Sequence, residues 1–370
     1  MRAAPRIFVS AGEPSGDAHA ARVVEALKLR WPGAAIDAFG GPALSAAGAN
    51  VRFPMEPYTA MGLFEAASKL PSHLRLLRLL RREFRTGRYD LFLPVDYPGF
   101  NLKLAEAARS AGLRTLYYIA PQLWAWRPGR AQRMRRAVDT LAVILPFEKA
   151  YFESLGVRAH FVGHPLAERE WPTRGEARAA LGLGEKQRIL AIFPGSRTQE
   201  IKRLWPTFLA TAERLRAAGA CDQVLVAGTR DGEYPNAAAL RLVRGEQASL
   251  MRAADAVLAK SGTTTLEAAV AGIPMVVAYR VHPLTAVLVR RLMTVGWISL
   301  VNLVAGRQVV PELVQRQVTP EALVATLQPL LDRSSAKVRD QLAGFEEVRR
   351  RLGDPGAAQR VAALAGELVG

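Results

Sequence analysis

Cysteine is nearly absent from this chain of 370 residues: Cys221 stands alone. That excludes an internal disulfide and a cysteine-built metal cluster, and it suits a reducing compartment. Histidine is scarce as well. His160 and His164 in "HFVGHP" fall on a strand-to-loop segment rather than one helical face, and neither H-E-x-x-H nor a D-x-D triplet occurs. No metal and no cofactor are expected. Long apolar runs are missing: the nearest approach to a membrane span, "AVLVRRLMTVGWISLV", is split by Arg290 and Arg291. Met1 to Phe8 is too short for a signal peptide and a polar loop follows it. A cytoplasmic protein is expected, unless something holds it at a surface. Aromatics are sparse at 7%, but half of the residues are hydrophobic, so a sizeable core forms and wholesale disorder is excluded. Acidic residues are in deficit, 33 against 50 Lys and Arg, which leaves a net charge of +17. Such a charge favours a polyanionic partner (nucleic acid, an anionic bilayer or a phosphorylated substrate), although an arginine-rich genome produces the same excess.

The length favours two domains over one. Short continuous apolar runs alternate with stretches at helical spacing. "RIFVS", "DLFLPV", "RTLYYIA", "TLAVILP" and "AHFVG" read as strands in the first half, and "RILAIFPG", "QVLVAG", "AVLAKSG" and "PMVVAYR" in the second. Runs that do not alternate suit parallel strands buried on both faces. The pattern predicts an α/β protein of two Rossmann-like doubly wound domains, 1–168 and 169–335, divided at the proline-broken "PLAEREWPTRG". A helical C-terminal segment, 336–370, follows, packing back on the first domain or on a partner subunit.

Ligands of open α/β sheets sit outside the carboxyl ends of the strands, so those loops carry the functional reading. "AGEPSGD" after the first strand matches neither common nucleotide fingerprint. Glu13, Ser15 and Asp17 suit the neutral hydroxyl donors of a sugar, or else they cap and hold the loop. "FPGSRTQEI" is the counterpart in the second half: Gly195, Ser196 and Arg197 at a helix start make an anion site. Ser261, Gly262, Thr263 and Thr264, next to Lys260, make a second, with Glu267 placed for ribose hydroxyls. Asp96 in "VDYPGFN" ends a strand facing an interdomain cleft, placed to take a proton from a hydroxyl; a turn aspartate is the alternative. Tyr117, Tyr118, Trp124 and Trp126 lie among arginines and suit stacking, but no nucleic-acid motif accompanies them, so no nucleic-acid partner is expected. In "SKLPSHLRLLRLLRREFRTGR", Leu70, Leu74, Leu77, Leu80 and Phe84 recur at helical spacing among Arg75, Arg78, Arg81, Arg82 and Arg85. Such a helix lies in an anionic membrane interface or packs on a core with a solvated basic face.

Taken in order, "SAGEPSGD", Met61-Gly62, "VDYPGFN", "YYIAPQLWAWR", "LPFE", "FVGHPLAE", "FPGSRTQEI", "KSGTTTLEA", "PMVVAYR", "NLVAGR" and "PELVQ" resemble the lipid-A-disaccharide synthase family, from about residue 7 to 317. The resemblance implies the two-domain GT-B glycosyltransferase fold. It implies inverting transfer from UDP-2,3-diacylglucosamine to 2,3-diacylglucosamine 1-phosphate, giving a β-1,6-linked disaccharide 1-phosphate and UDP. By that likeness Asp96 matches the catalytic aspartate, as base for the acceptor 6-hydroxyl, and Arg197 matches the arginine that stabilises the leaving UDP. Asn302 and Glu312 join the nucleotide-site assignments; Asn101, Gln122 and Arg127 join Glu13, Ser15 and Asp17 on the acceptor side. It further implies an enzyme peripheral at the inner membrane, and a homodimer with exchanged C-terminal segments. Two other readings stand: another UDP-hexosamine enzyme of the same fold (a related glycosyltransferase or a 2-epimerase), and a non-enzymatic binder of anionic surfaces motivated by the net charge.

Overall fold

The computed structural model describes residues 4–58, 69–124, 131–229, 232–281 and 296–370. The chain divides into two compact units, Met1–Glu168 with Leu352–Gly370, and Arg169–Arg351.

In the first unit, strands β1 (Arg6–Ser10), β2 (Ala35–Gly40), β3 (Asn50–Pro54), β4 (Leu91–Pro94), β5 (Arg114–Tyr118), β6 (Thr140–Val143) and β7 (Ala159–Phe161) form one parallel sheet of order β3-β2-β1-β4-β5-β6-β7. The helices are α1 (Pro14–Arg30), α2 (Pro42–Ala46), α3 (Leu70–Phe84), α4 (Pro98–Ser110), α5 (Ala131–Ala137) and α6 (Pro146–Ser154). The sheet is covered on both faces, which is why its strands read as unbroken apolar runs. Phe8, Phe92, Tyr117 and Leu141 fill one layer, and Ile7, Val9, Leu91, Leu93, Leu116 and Tyr118 the other.

In the second unit, β8 (Ile189–Phe193), β9 (Gln223–Ala227), β10 (Arg241–Val243), β11 (Ala256–Lys260), β12 (Met275–Tyr279) and β13 (Glu312–Val314) form a parallel sheet of order β10-β9-β8-β11-β12-β13. Its helices are α7 (Arg174–Ala180), α8 (Thr198–Ala217), α9 (Gln247–Ala253), α10 (Thr263–Ala271), α11 (Leu300–Ala305), α12 (Pro320–Leu327) and α13 (Ala336–Arg351). At the amino ends of these strands lies a buried aspartate. Asp255 accepts from Arg174 Nη2 (2.8 Å), Arg178 Nη2 (3.0 Å), Arg333 Nε (2.8 Å) and the backbone N–H of Ile189 (2.8 Å).

The tail 336–370 is divided between the two units. Helix α13 belongs to the second unit, whereas the last helix, α14 (Ala357–Val369), belongs to the first. Val361, Ala362, Leu364 and Ala365 of α14 complete the layer against α1 and the sheet. The Glu168 carboxylate accepts from the N–H groups of Gly356 (2.7 Å) and Ala357 (2.8 Å), and Arg360 Nε donates to the Val162 carbonyl (2.7 Å).

Both sheets reverse their winding next to the first strand, between β1 and β4 and between β8 and β11. At such a switch point the loops leaving the two neighbouring strands diverge and open a crevice. The four loops singled out by their polarity are the ones that leave β1, β4, β8 and β11.

Candidate active site

At the first switch point the chain leaves β4 through Asp96 and Tyr97, both left-handed (φ 47° and 52°) although neither is glycine. Each such residue costs about 1–3 kcal/mol and persists only where its surroundings hold it. Here the Asp96 carbonyl accepts from Asn101 Nδ2 (2.8 Å) and from the Tyr117 hydroxyl (2.8 Å), and its N–H donates to the Tyr118 carbonyl (2.9 Å). Asn101, fully buried on α4, also donates from Nδ2 to the carbonyls of Ser10 and Val95 (3.2 Å each) and accepts from Ser10 Oγ (2.6 Å). The Asp96 carboxyl is thereby fixed at the strand end. Burial, and then the nearby Glu13 carboxylate, push its pKa up to about 6. A carboxylate so poised is suited to general-base work near neutral pH.

Tyr97 lies over the β1 loop. A Cβ on Gly12 would come within 2.3 Å of its ring, so only glycine admits it there. The Tyr97 hydroxyl meets His73 Nε2 of α3 at 2.6 Å. Neither contact is visible in the sequence, although Tyr97 stands inside "VDYPGFN".

At the second switch point Gly195 turns the chain out of β8 with φ 119°, and exposed Ser196 and Arg197 lead into α8, a helix of 20 residues. A long helix presents free N–H groups and a positive dipole end at this point. Glu200 in the first turn of α8 pairs with Lys260 at the end of β11 (3.0 Å), tying the two loops of the crevice together. Thr263 is exposed and Thr264 half-buried at the start of α10. This loop pair, with its exposed guanidinium headgroup, glycine turn and hydroxyls, can bind a diphosphate. Among the described residues no group of three or more His, Cys, Asp or Glu side chains is arranged to hold a metal ion.

Several residues assigned to substrate are engaged in the framework. Asp17 is buried, and its carboxylate accepts from the N–H groups of Gly41 (2.7 Å), Ala43 (2.9 Å) and Leu44 (3.4 Å), which caps α2. Asn101 braces the Asp96 turn. Asn302, fully buried, uses Oδ1 on the N–H groups of Val309 and Val310 and Nδ2 on the Val310 carbonyl and Glu312. Glu312 in turn accepts from the N–H groups of Ile298 and Ser299 (2.9 Å each). Ser261 Oγ donates to the Ile298 carbonyl (2.8 Å), so this buried hydroxyl belongs to the same stitching. Glu267 pairs with Arg169 (3.1 Å). Glu13 in the β1 loop, Ser15 in the first turn of α1 and Gln122 beyond β5 are exposed, whereas Arg127, with Trp126 and Met61-Gly62, lies outside the described residues. Tyr117, Tyr118 and Trp124 are core residues rather than stacking platforms. The Trp124 indole donates to Glu148 Oε1 (3.0 Å), a buried carboxyl that burial pushes up to about 7.

Helix α3 also differs from its expected face. Leu76, Leu77, Leu80 and Phe84 are buried in the core, so Leu77 and Leu80 are removed from any membrane contact. Leu70 (52% exposed), Leu74 (40%) and Leu79 (48%) remain outside with Arg75, Arg78, Arg81, Arg82 and Arg85. No helix among the described residues is long and apolar enough to cross a membrane.

Solved structures share this architecture across the whole chain. They include a putative UDP-N-acetylglucosamine 2-epimerase from Listeria monocytogenes (TM-score 0.66, 11% identity, 99% of this chain and 96% of that one). They also include the glycotransferase of kitacinnamycin (TM-score 0.62, 16% identity, 99% of each chain). The two switch-point sheets thus define the GT-B fold. The family model of lipid-A-disaccharide synthetase matches residues 7–359. Curated lipid-A-disaccharide synthases of Anaeromyxobacter dehalogenans strain 2CP-C and Pseudomonas aeruginosa PAO1 are similar over almost the full length. The first is 44% identical (98% of this chain, 97% of that protein), the second 40% (97% of each). The chain belongs to the lipid-A-disaccharide synthase family, glycosyltransferases that take a UDP-sugar donor and a sugar acceptor.

Proposed function

We propose that the chain transfers the 2,3-diacylglucosamine unit of UDP-2,3-diacylglucosamine to the 6-hydroxyl of 2,3-diacylglucosamine 1-phosphate, with inversion. The observation that carries the mechanistic reading is the Asp96 carboxyl, held half-buried at the end of β4 by the bonds to its backbone, where burial and Glu13 push its pKa up to about 6. Asp96 takes the proton of the acceptor hydroxyl as that oxygen bonds to the donor's anomeric carbon. The bond from that carbon to the diphosphate breaks, and its electron pair leaves on UDP. Charge develops on the diphosphate, where the Arg197 guanidinium and the free N–H groups of α8 lower the barrier. Glu13, Ser15 and Gln122 are assigned to the acceptor, and Ser196, Thr263 and Thr264 to the nucleotide. Incubation with both substrates should give the β-1,6 disaccharide 1-phosphate and UDP in equal amounts. Conversion of the donor alone to its 2-epimer, with no disaccharide, would replace this reading with the epimerase.

The substrates are acylated, and the exposed face of α3 suits the surface that holds them. Its arginines meet anionic headgroups while Leu70 and Leu74 enter the interface. Each leucine should contribute about 1 kcal/mol when its exposed part leaves water. Leu70→Ser with Leu74→Ser is expected to weaken co-sedimentation with phosphatidylglycerol vesicles about tenfold or more, with an unchanged melting temperature. Sedimentation equal to wild type would reject the surface. This peripheral placement at the inner membrane, and a homodimer, complete the reading.

A further inference from the structure

The Asp96–Tyr97 turn has two consecutive left-handed residues and needs two sets of restraints. The Asp96 carbonyl is held from the core by Asn101 and Tyr117. Tyr97 is held by its side chain: Gly12 lies against the ring, Phe100 is tilted beside it at 6.1 Å between centroids, and His73 meets the hydroxyl. The direction of that last bond follows from the far side of the imidazole. His73 Nδ1 lies 2.9 Å from the carbonyl of Lys69, which can only accept, so Nδ1 carries the hydrogen. In the neutral ring Nε2 is then an acceptor, and the Tyr97 hydroxyl donates to it. His73 is itself fixed: its ring meets Tyr58 at 5.4 Å and Phe100 at 5.8 Å, both edge to face. It rises from α3, whose other face anchors in the core through Leu76, Leu77, Leu80 and Phe84.

We infer that His73 is a positioning residue for the general base, acting through the Tyr97 hydroxyl to lock the left-handed turn that aims Asp96. The inference rests on the reading of Asp96 as that base. His73 touches no reacting atom; it supplies one hydrogen bond to the residue next to the base, from a helix anchored in the core by Leu76, Leu77, Leu80 and Phe84. Without it the Tyr97 ring pivots on Gly12, the turn relaxes toward commoner backbone angles, and the carboxylate leaves its attack geometry.

Tyr97→Phe removes only the hydroxyl, and His73→Phe removes the nitrogens while keeping a ring. Each should lower kcat on the order of tenfold, as a small misplacement of a base does, with the KM for the UDP-sugar donor unchanged. The double variant should be no worse than either single one, because both break the same bond. His73→Gln, which offers an amide near the place of Nε2, should recover part of the loss. Wild-type kcat in Tyr97→Phe, or losses that multiply in the double variant, would overturn the inference. Asp96→Asn run in parallel separates the two failures. If it is inactive while Tyr97→Phe is fully active, only the role of His73 falls; if it turns over like wild type, the base assignment falls and the inference with it.

Discussion

Asp96→Asn should lower kcat on the order of a hundred- to ten-thousand-fold, the usual contribution of a positioned general base, while UDP-sugar binding stays intact. The amide has the carboxylate's shape, and the backbone bonds from Asn101, Tyr117 and the Tyr118 carbonyl do not involve the side chain, so the turn should survive the change. Only the ability to accept a proton is lost. The same carboxyl sets a pH dependence. A base works deprotonated, so kcat/KM of the wild type should hold above the Asp96 pKa and fall as pH drops through about 6. Glu13 is one cause of the raised value, after burial. Glu13→Gln should therefore shift the acid limb to lower pH, because removing a neighbouring negative charge eases ionisation. A limb that stays put in Glu13→Gln, or an Asp96→Asn enzyme with normal turnover, would contradict this account.

The second large effect concerns stability. Asp255→Ala should destabilise the protein by about 3–5 kcal/mol, the cost of breaking a buried ion pair from one side. Its carboxylate joins three guanidinium groups and the first N–H of β8, and among them Arg178 is almost wholly buried. Removing it leaves that charge in the interior with only carbonyl partners. A loss of this size is a large part of a typical domain's total of about 5–15 kcal/mol. Denaturant unfolding would measure it, and a change below about 1 kcal/mol, as for an exposed pair, would show that the arginines pair elsewhere. Since Asp255 lies at the amino end of the strands, the folded variant should keep its specific activity.

Strands β1, β4, β8 and β11 were legible because a parallel sheet covered on both faces demands unbroken apolar residues. The strands absent from the sequence reading are β2, β3, β10 and β13. Three of them are short edges with half-exposed patterns. The interior β2 carries Asp37, which reads as a break until Asn50 Nδ2 (2.7 Å) and the Tyr89 hydroxyl (2.7 Å) satisfy it. Helix α3 misled for another reason. Leucines at nearly every other position let several stripes be drawn through it, and only packing selects Leu76, Leu77, Leu80 and Phe84 as the inner one.

The sequence by itself determined the fold class, the family and which strand-end loops are polar, because apolar runs, ordered motifs and polar breaks at strand ends are properties of the chain read locally. Only the tertiary structure decided which polar residues in those loops are available. Asp17 is claimed by backbone 24 residues away at Gly41, and Asn101 by Ser10 across 91 residues. A buried hydrogen-bonding group must be satisfied wherever its partners arrive from. Asp17, Asn101, Asn302 and Glu312 therefore became framework. Asp96, whose carbonyl takes the bonds from Asn101 and Tyr117, leaves its carboxyl at the strand end beside Glu13.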